Sequence, residues 1–285
     1  MNWNKDSGLQ LRMGSVIVML ALLYSVFIAT LTVYAGTFLI AIGVTAAIAG
    51  LTWNGPKIAM KTTNSHRVSP QEYPELCNRV NKLSHQAGMV APDVAVSDSQ
   101  APNAFVTGRS GDSAVLCVTK GLLESLEGEE LDAVLAHELS HVKNRDMMIM
   151  MVASTIATVA HFVVRWGWIG DSGAEPGQGS GAIIGAIVVS FVTWIASYIL
   201  MRILSKYREY TADRGAVAIT GRPMALVSAL QSISDEVSDT PDEDLRELSS
   251  TNAMNFYELE ADRMSRMMST HPDADKRIEK LKQMR

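Results

Sequence analysis

The sequence has few cysteines and no excess of positive charge. Only two of its 285 residues are cysteine, Cys77 and Cys117, and they fit unpaired thiols in a reducing compartment. The formal net charge is −5 at pH 7, which excludes a nucleic-acid-binding footprint. We find no internal repeat, so repeat architectures are excluded as well.

Charged residues are missing from two long apolar runs near the N-terminus, residues 14–34 and 36–53. A transmembrane helix needs about 20 apolar residues, so the two runs predict two spans joined by a tight turn. A signal peptide is the alternative for the first run. No clear small-residue cleavage site separates the two runs, which argues against it.

Two further apolar runs cover residues 147–169 and 182–204, with a polar, glycine-rich loop between them. The second of these predicts a span. The first is a weaker candidate because it contains His161 and Arg165. Buried helices of a soluble domain are the alternative for both runs. The predicted organisation is a membrane hairpin (1–54), an α+β segment (55–146), a second hairpin (147–204) and a C-terminal catalytic part (205–285).

Basic residues predict the orientation of these spans. Asp171 and Glu175 lie in the loop on one side of the predicted membrane, whereas the other side is flanked by Lys5, Arg12, Lys57, Lys61, Arg67, Lys143, Arg145, Lys206, Arg208 and Arg214. The positive-inside rule therefore places both termini and the catalytic domain in the cytoplasm. We expect a multi-pass protein of the cell (inner or plasma) membrane, with the lipid bilayer as a partner.

A helix with two histidines four residues apart is expected over residues 129–146, because apolar residues recur at helical spacing without Pro or Gly. His137 and His141 would share one face and suit Zn²⁺, and Glu138 could take a proton from the water that the metal activates. The alternative is an amphipathic core helix with two surface histidines. A catalytic zinc also needs a third protein ligand.

Residues 205–219 offer that ligand. Glu209 and Asp213 are four residues apart on a predicted helix, so one carboxylate could bind the metal while the other holds a ligand imidazole. We favour Glu209 as the ligand, which completes a His₂Glu set. Ion pairs with neighbouring basic residues on a solvated helix are the alternative.

The segment before the zinc helix predicts a small sheet. Residues 72–88 read as a helix, and residues 94–97 and 114–119 read as strands. The piece between these strands, with Asn103, Ala104 and Phe105, reads as extended and could bind a peptide as an added strand. An ordinary hairpin that closes the fold is the alternative. The expected fold class is mainly α with a small β-sheet (α+β).

Four separated motifs resemble the HtpX membrane metalloproteases, relatives of the CAAX prenyl endopeptidases within the gluzincins. The motifs are Pro102–Gly108 (PNAFVTG), His137–Asp146 (HELSHVKNRD), Glu209–Asp213 (EYTAD) and Thr270–Arg277 (THPDADKR). The resemblance implies a zincin-type catalytic domain, and the four apolar runs predict four transmembrane helices in the same chain. The resemblance also implies one zinc per chain on His137, His141 and Glu209, with Glu138 as general base.

The remaining roles rest on the same resemblance. It implies that Asp213 orients a ligand histidine and that Asn103 holds the substrate backbone. It further implies that His271 hydrogen-bonds the developing oxyanion. Arg277 supplies a supporting charge and is, with His271, the best candidate for an oxyanion donor. Asp146 closes the second motif and is assigned, with Asp213, to the surroundings of the ligands.

The expected function is zinc-dependent hydrolysis of peptide bonds. The resemblance implies that the substrates are misfolded or damaged membrane proteins and that the activity serves protein quality control under stress. A zinc-stabilised membrane chaperone or scaffold that binds unfolded segments without cutting them is the main alternative. That alternative would not need Glu138 between the histidines. A prenyl-protein endopeptidase is the alternative among enzymes. The sequence leaves the substrates and the oligomeric state open.

Overall fold

The computed structural model describes residues 7–34, 54–108, 113–166, 180–239 and 274–284, with the single residues 43, 46 and 50. The predicted second span, residues 36–53, and His271 lie outside this part of the chain. The helices are α1 (Ser7–Tyr34), α2 (Pro74–Ala87), α3 (Lys120–Ser125), α4 (Gly128–Asn144), α5 (Asp146–Trp166), α6 (Ser180–Thr220), α7 (Pro223–Asp239) and α8 (Ala274–Lys282). The strands are β1 (Ser65–Arg67), β2 (Asp93–Ser97), β3 (Ala104–Thr107) and β4 (Val115–Thr119), and residues 54–62 are also helical.

The described chain divides into two compact units. The first holds the sheet, helices α2, α3, α4, α7 and α8, and residues 205–220 of α6. The second holds α1, most of α5 and residues 180–204 of α6. The first unit is mainly helical with a small sheet, in agreement with the predicted α+β class.

The sheet of the first unit has four strands in the order β1-β2-β4-β3. β2 and β4 are parallel, whereas β1 pairs with β2 and β3 pairs with β4 in antiparallel fashion. Strand β3 is therefore an edge strand, and it contacts α4. The two longer strands agree with the predicted ones, but the three-residue β1 has no apolar pattern and was not predicted.

Side chains alternate between the two faces of the sheet, as the pleat requires. One face, with Val94, Val96, Leu116 and Val118, belongs to the main core that α2, α4 and α7 complete. The other face packs against Ala59 of the helical stretch 54–62. The sheet residues on this face are Ala95, Phe105, Val115 and Cys117. Both cysteines are free and buried, as expected of unpaired thiols.

Helix α4 crosses the main core and is almost completely buried from Ala133 to Val142. It ends at Asn144, one turn after the second histidine, because Arg145 adopts the left-handed conformation (φ 57°, ψ 31°). The backbone N–H of Arg145 donates to the carbonyl oxygens of His141 and Val142. Helix α5 begins at the next residue, Asp146. The single helix predicted over residues 129–146 is therefore wrong at its end.

The second unit contains the apolar helices. Two segments are long and apolar enough to cross a membrane, Ser7–Thr30 (24 residues, mean hydropathy 2.2) and Ile184–Thr220 (37 residues, mean hydropathy 2.1). Only 22% and 17% of their apolar windows are buried. The low burial of the second segment disfavours the alternative of a core helix that we gave for the fourth run. The apolar stretch of α5, Asp146–His161, is shorter.

The described residues therefore support two spans, not the four expected. The first and fourth predicted runs correspond to the two long apolar segments. In the third run the helix extends over Asp146–Trp166, and its described apolar stretch, Asp146–His161, is shorter than a span requires.

Side chains from α1, α5 and α6 pack together within the second unit. Phe27 and Ala160 are buried there against Ile156 and Trp194. The hydroxyl of Tyr24 on α1 donates a hydrogen bond to the carbonyl oxygen of Ala153 on α5 at 3.0 Å. A direct hydrogen bond of this kind satisfies a polar group that would otherwise face apolar surroundings.

Candidate metal centre

The two histidines of α4 point at one spot. Their spacing of four residues stacks the imidazoles, and the Nε2 atoms of His137 and His141 lie 3.2 Å apart. The rings are nearly perpendicular, with centroids 4.8 Å apart. His137 is 0% exposed and His141 is 7% exposed, so they are not the surface histidines of an ordinary amphipathic helix.

Glu209 of α6 approaches the same spot. Its Oε2 lies 3.3 Å from Nε2 of His137, and its Oε1 lies 3.5 Å from Nε2 of His141. The two oxygens of this carboxylate thus lie about as far from the imidazole nitrogens as those nitrogens, at 3.2 Å, lie from each other. Ligands at 2.0–2.1 Å from a tetrahedral zinc lie about 3.3 Å from one another. The donor set fits a zinc ion bound by two neutral imidazoles and one carboxylate.

Each imidazole is held from behind by an aspartate. Oδ1 of Asp213 lies 3.0 Å from Nδ1 of His137, and Oδ2 of Asp146 lies 2.7 Å from Nδ1 of His141. A carboxylate at Nδ1 keeps the proton on that nitrogen and leaves Nε2 free to bind metal. Both aspartates are buried, so the solvated helix considered as an alternative for Glu209 and Asp213 does not describe this face of α6.

Arg277, from the C-terminal helix α8, completes the cluster. It is 2% exposed, and its guanidinium binds both carboxylate oxygens of Asp213. Its Nη2 also lies 3.4 Å from Nδ1 of His137, and its Nη1 lies 3.8 Å from Oε2 of Glu209. Its charge is therefore engaged with the carboxylates around the ligands, which favours the supporting role over that of an oxyanion donor.

Burial and the neighbouring charges shift the pKa values of His137 and Arg277 in opposite directions. Burial alone would lower the pKa of His137, but its hydrogen bonds with Asp213 and Glu209 raise that pKa to about 9. Burial lowers the pKa of Arg277, and Asp213 more than offsets this. In the absence of a metal, the imidazolium and the guanidinium thus compensate the buried carboxylates.

Glu138 lies beside the two histidines. His137, Glu138 and His141 each offer one atom that could bind a metal, and these three atoms lie within 4.8 Å of one another. Burial raises the pKa of Glu138 above its usual range, against the lowering effect of His141 and His137. A carboxylate with a raised pKa next to a metal position suits proton transfer.

The predicted substrate-binding residues lie in and beside the edge strand β3. Ala104 and Phe105 belong to β3, and Asn103 precedes it. The backbone of Asn103 is fixed by Thr119: its N–H donates to Oγ1 at 2.8 Å, and its carbonyl accepts from the Thr119 N–H at 3.0 Å. All three residues are buried, and β3 contacts the histidine helix α4.

One residue of the centre was not singled out from the sequence. Arg208, next to Glu209 on α6, lies with its Nε 3.4 Å from Oδ2 of Asp146. From the sequence it was only one of several basic residues flanking a span. Its burial, at 9% exposure, sets it apart from the exposed Lys206 on the same helix. No spacing rule in the sequence relates Arg208 to Asp146.

Comparison with known proteins relates the whole chain to one family. The model of peptidase family M48 matches residues 70–285. Protease HtpX homolog 2 of Methanosarcina mazei is 42% identical over 287 aligned residues, covering 99% of this chain and 97% of that protein. Protease HtpX homolog 1 of Streptomyces coelicolor is 37% identical, covering 98% and 93%.

A solved structure shows a related fold. The crystal structure of S. mikatae Ste24p superposes with a TM-score of 0.57 at 17% sequence identity. The match covers 92% of this chain, which spans 62% of the Ste24p chain. At this identity the likeness concerns the fold alone. The family model and the identities to the HtpX homologues confirm the resemblance carried by the four motifs, and the chain belongs to the metalloproteases of peptidase family M48.

Proposed function

We propose that this chain is a membrane-bound, zinc-dependent endopeptidase that binds one zinc ion through His137, His141 and Glu209. The observation that carries the proposal is that the two imidazole Nε2 atoms lie 3.2 Å apart and face the Glu209 carboxylate, with Oε2 at 3.3 Å from His137 and Oε1 at 3.5 Å from His141. These separations are close to the distance between two ligands of one tetrahedral zinc ion. Three protein ligands leave the fourth position open, as catalytic zinc sites require. Zinc supplies a Lewis acid that polarises a peptide carbonyl and lowers the pKa of water toward about 7.

Glu138 is the proton carrier in this proposal. It accepts the proton of the attacking water and then delivers it to the leaving amine. Burial raises the pKa of its carboxyl group, which brings it closer to the range in which one group can both take and give a proton near neutral pH. Asp213 and Asp146 hold the two imidazoles with Nε2 turned inward, so the ligand geometry does not need to form during the reaction.

The edge strand β3 would hold the substrate. It pairs with β4 on one side, so its other side is available among the described strands for an extended peptide. Backbone hydrogen bonds to a strand do not depend on side-chain identity, which suits an enzyme that acts on many unfolded segments. Asn103 would contact the substrate backbone beside this strand, and the oxyanion role of His271 belongs to the same proposal.

The substrates would be misfolded or damaged membrane proteins, and the activity would serve quality control under stress. The two long apolar helices, with their exposed apolar side chains, support a place in the membrane. The distribution of basic residues in the sequence supports a multi-pass protein with its catalytic domain and both termini in the cytoplasm.

Metal analysis combined with cleavage of casein tests this function. The purified chain should contain about one zinc and degrade casein, lose cleavage with a chelator, and regain it when zinc is added. A zinc-stabilised scaffold would bind casein and leave it intact in every condition. A prenyl-protein endopeptidase would cleave a prenylated peptide and spare casein, whereas our proposal predicts that casein is cleaved.

A further inference from the structure

At the end of α4 the chain turns so that Asp146, the first residue of α5, contacts a histidine of α4. Asp146 follows His141 by five residues, and on a continuous helix positions five apart lie about 140° apart around the axis. The left-handed conformation of Arg145 breaks the helix and lets Asp146 reach Nδ1 of His141 at 2.7 Å. A non-glycine residue in that conformation is strained, so other contacts must hold this junction in place.

Arg208 is the contact that α6 provides. Its Nε lies 3.4 Å from Oδ2 of Asp146, the same oxygen that binds His141. At 3.4 Å this is an ion pair without a directed hydrogen bond, and Nε has no other hydrogen-bond partner among the described residues. A buried carboxylate needs a compensating charge, and Arg208 brings one from a helix that is distant in the sequence.

Behind each ligand imidazole lies an aspartate and, beyond it, an arginine. His137 is held by Asp213, which Arg277 binds, and His141 is held by Asp146, which Arg208 approaches. Arg277 comes from the C-terminal helix, but Arg208 stands directly beside the ligand Glu209. One turn of α6 thus provides both a ligand and the support of a second ligand.

We propose that Arg208 is a positioning residue of the metal centre: it holds the carboxylate of Asp146 against Nδ1 of His141 and so fixes the direction of the His141 Nε2 atom. This inference rests on the proposed function, since it assumes that His141 binds the metal. Since α6 carries both Arg208 and Glu209, it would also fix the position of Glu209 relative to the junction that follows α4.

The test compares Arg208→Met and Arg208→Lys in the full-length chain, with Glu138→Gln as background so that no variant cleaves itself. Zinc affinity is measured by competition with a chromophoric chelator, and the geometry by the visible absorption of the Co²⁺ form. Arg208→Met should weaken zinc binding by about 10-fold, as losses behind a ligand do, and change the Co²⁺ spectrum. Arg208→Lys should retain most of the parent's zinc affinity and most of the features of its Co²⁺ spectrum. Lys206→Met, exposed on the same helix, is the matched control and should equal the parent.

A double-mutant cycle with Asp146→Asn decides whether Arg208 acts through Asp146. The double variant should bind zinc no more weakly than Asp146→Asn alone. It also removes both charges of the pair together, so it remains informative if Arg208→Met by itself folds poorly. Additive losses, or an Arg208→Met protein with the parent's affinity and spectrum, would overturn the inference. A parent that binds no zinc would instead contradict the proposed function.

Discussion

Arg277 and Asp213 form a two-pronged ion pair although they are 64 residues apart. Nη2 of Arg277 donates to Oδ1 at 2.6 Å, and its Nε donates to Oδ2 at 3.0 Å. Both residues are buried, and Asp213 also lies 3.0 Å from Nδ1 of His137. The pair therefore connects the C-terminal helix to a ligand of the metal centre.

Arg277→Met should destabilise the metal-free protein more than the loss of a surface charge does. The substitution leaves Asp213 buried without its guanidinium, and breaking a buried pair in this way costs about 3–5 kcal/mol. The free energy of unfolding in detergent is the measurement. Lys276→Met, exposed on the same helix, is the control. Equal stability of the two variants would show that the Arg277–Asp213 pair contributes nothing to the fold.

Glu209→Ala and Asp213→Ala should differ in their effect on zinc. Glu209 contributes one of three donor atoms, so its loss should leave the purified protein with little metal. Asp213 only holds an imidazole, so its loss should weaken the affinity for zinc by roughly 10- to 100-fold. Zinc should still occupy the site when its concentration is high. Zinc content and chelator competition provide the readout, with the exposed Glu124→Ala as control. Full zinc content in Glu209→Ala would remove Glu209 from the ligand set.

Asn103→Ala should impair the use of substrate without removing zinc. Asn103 stands at the start of the edge strand, where we expect the substrate backbone to bind. The expected result is a higher KM or a lower kcat for several unfolded substrates. Asn81→Ala, exposed on α2, is the matched control. If Asn103→Ala equals this control on all substrates, the strand serves only to close the fold.

Zinc binding should release a proton and strengthen as the pH rises. The pKa of His137 is raised from 6.5 to about 9 in the metal-free protein, so below that pH zinc must displace its proton. Affinity should rise by roughly 10-fold per pH unit toward pH 9 from this group, and level off above. In the metal-free protein, the stability contributed by protonated His137 is complete below pH 6.5 and lost as the pH rises through about 9. Chelator competition between pH 7 and 9 checks the slope, and a flat profile would contradict it.

Much of the fold followed from local patterns in the sequence. Helix α2 begins at Pro74 and ends at Ala87. Gly88 caps it in the left-handed conformation that glycine adopts without strain. The apolar strands β2 and β4 were recognisable for the same local reason. The polar strand β1 (Ser65–Arg67) was not, because it exists only through its pairing with β2.

The site was harder to predict where it depends on tertiary contacts. The spacing of His137 and His141, and that of Glu209 and Asp213, indicated shared helix faces, and the structure brings these faces together. The break at Arg145 had no signal, since neither Gly nor Pro marks it. The second motif placed Asp146 in the surroundings of the ligands, but the break that lets it reach His141, and the approach of Arg208 to Asp146, could not be read from the sequence.

The most direct test of the account compares Glu138→Gln with the parent chain. Both proteins should contain about one zinc, because Glu138 is not a ligand and glutamine preserves its shape. The parent should degrade casein and also cut itself when zinc is supplied. Glu138→Gln should do neither, with a rate at least about 100-fold lower, since the proton carrier is missing. Cleavage by Glu138→Gln at the parent's rate, with zinc in place, would contradict the mechanism and the role of Glu138 in it.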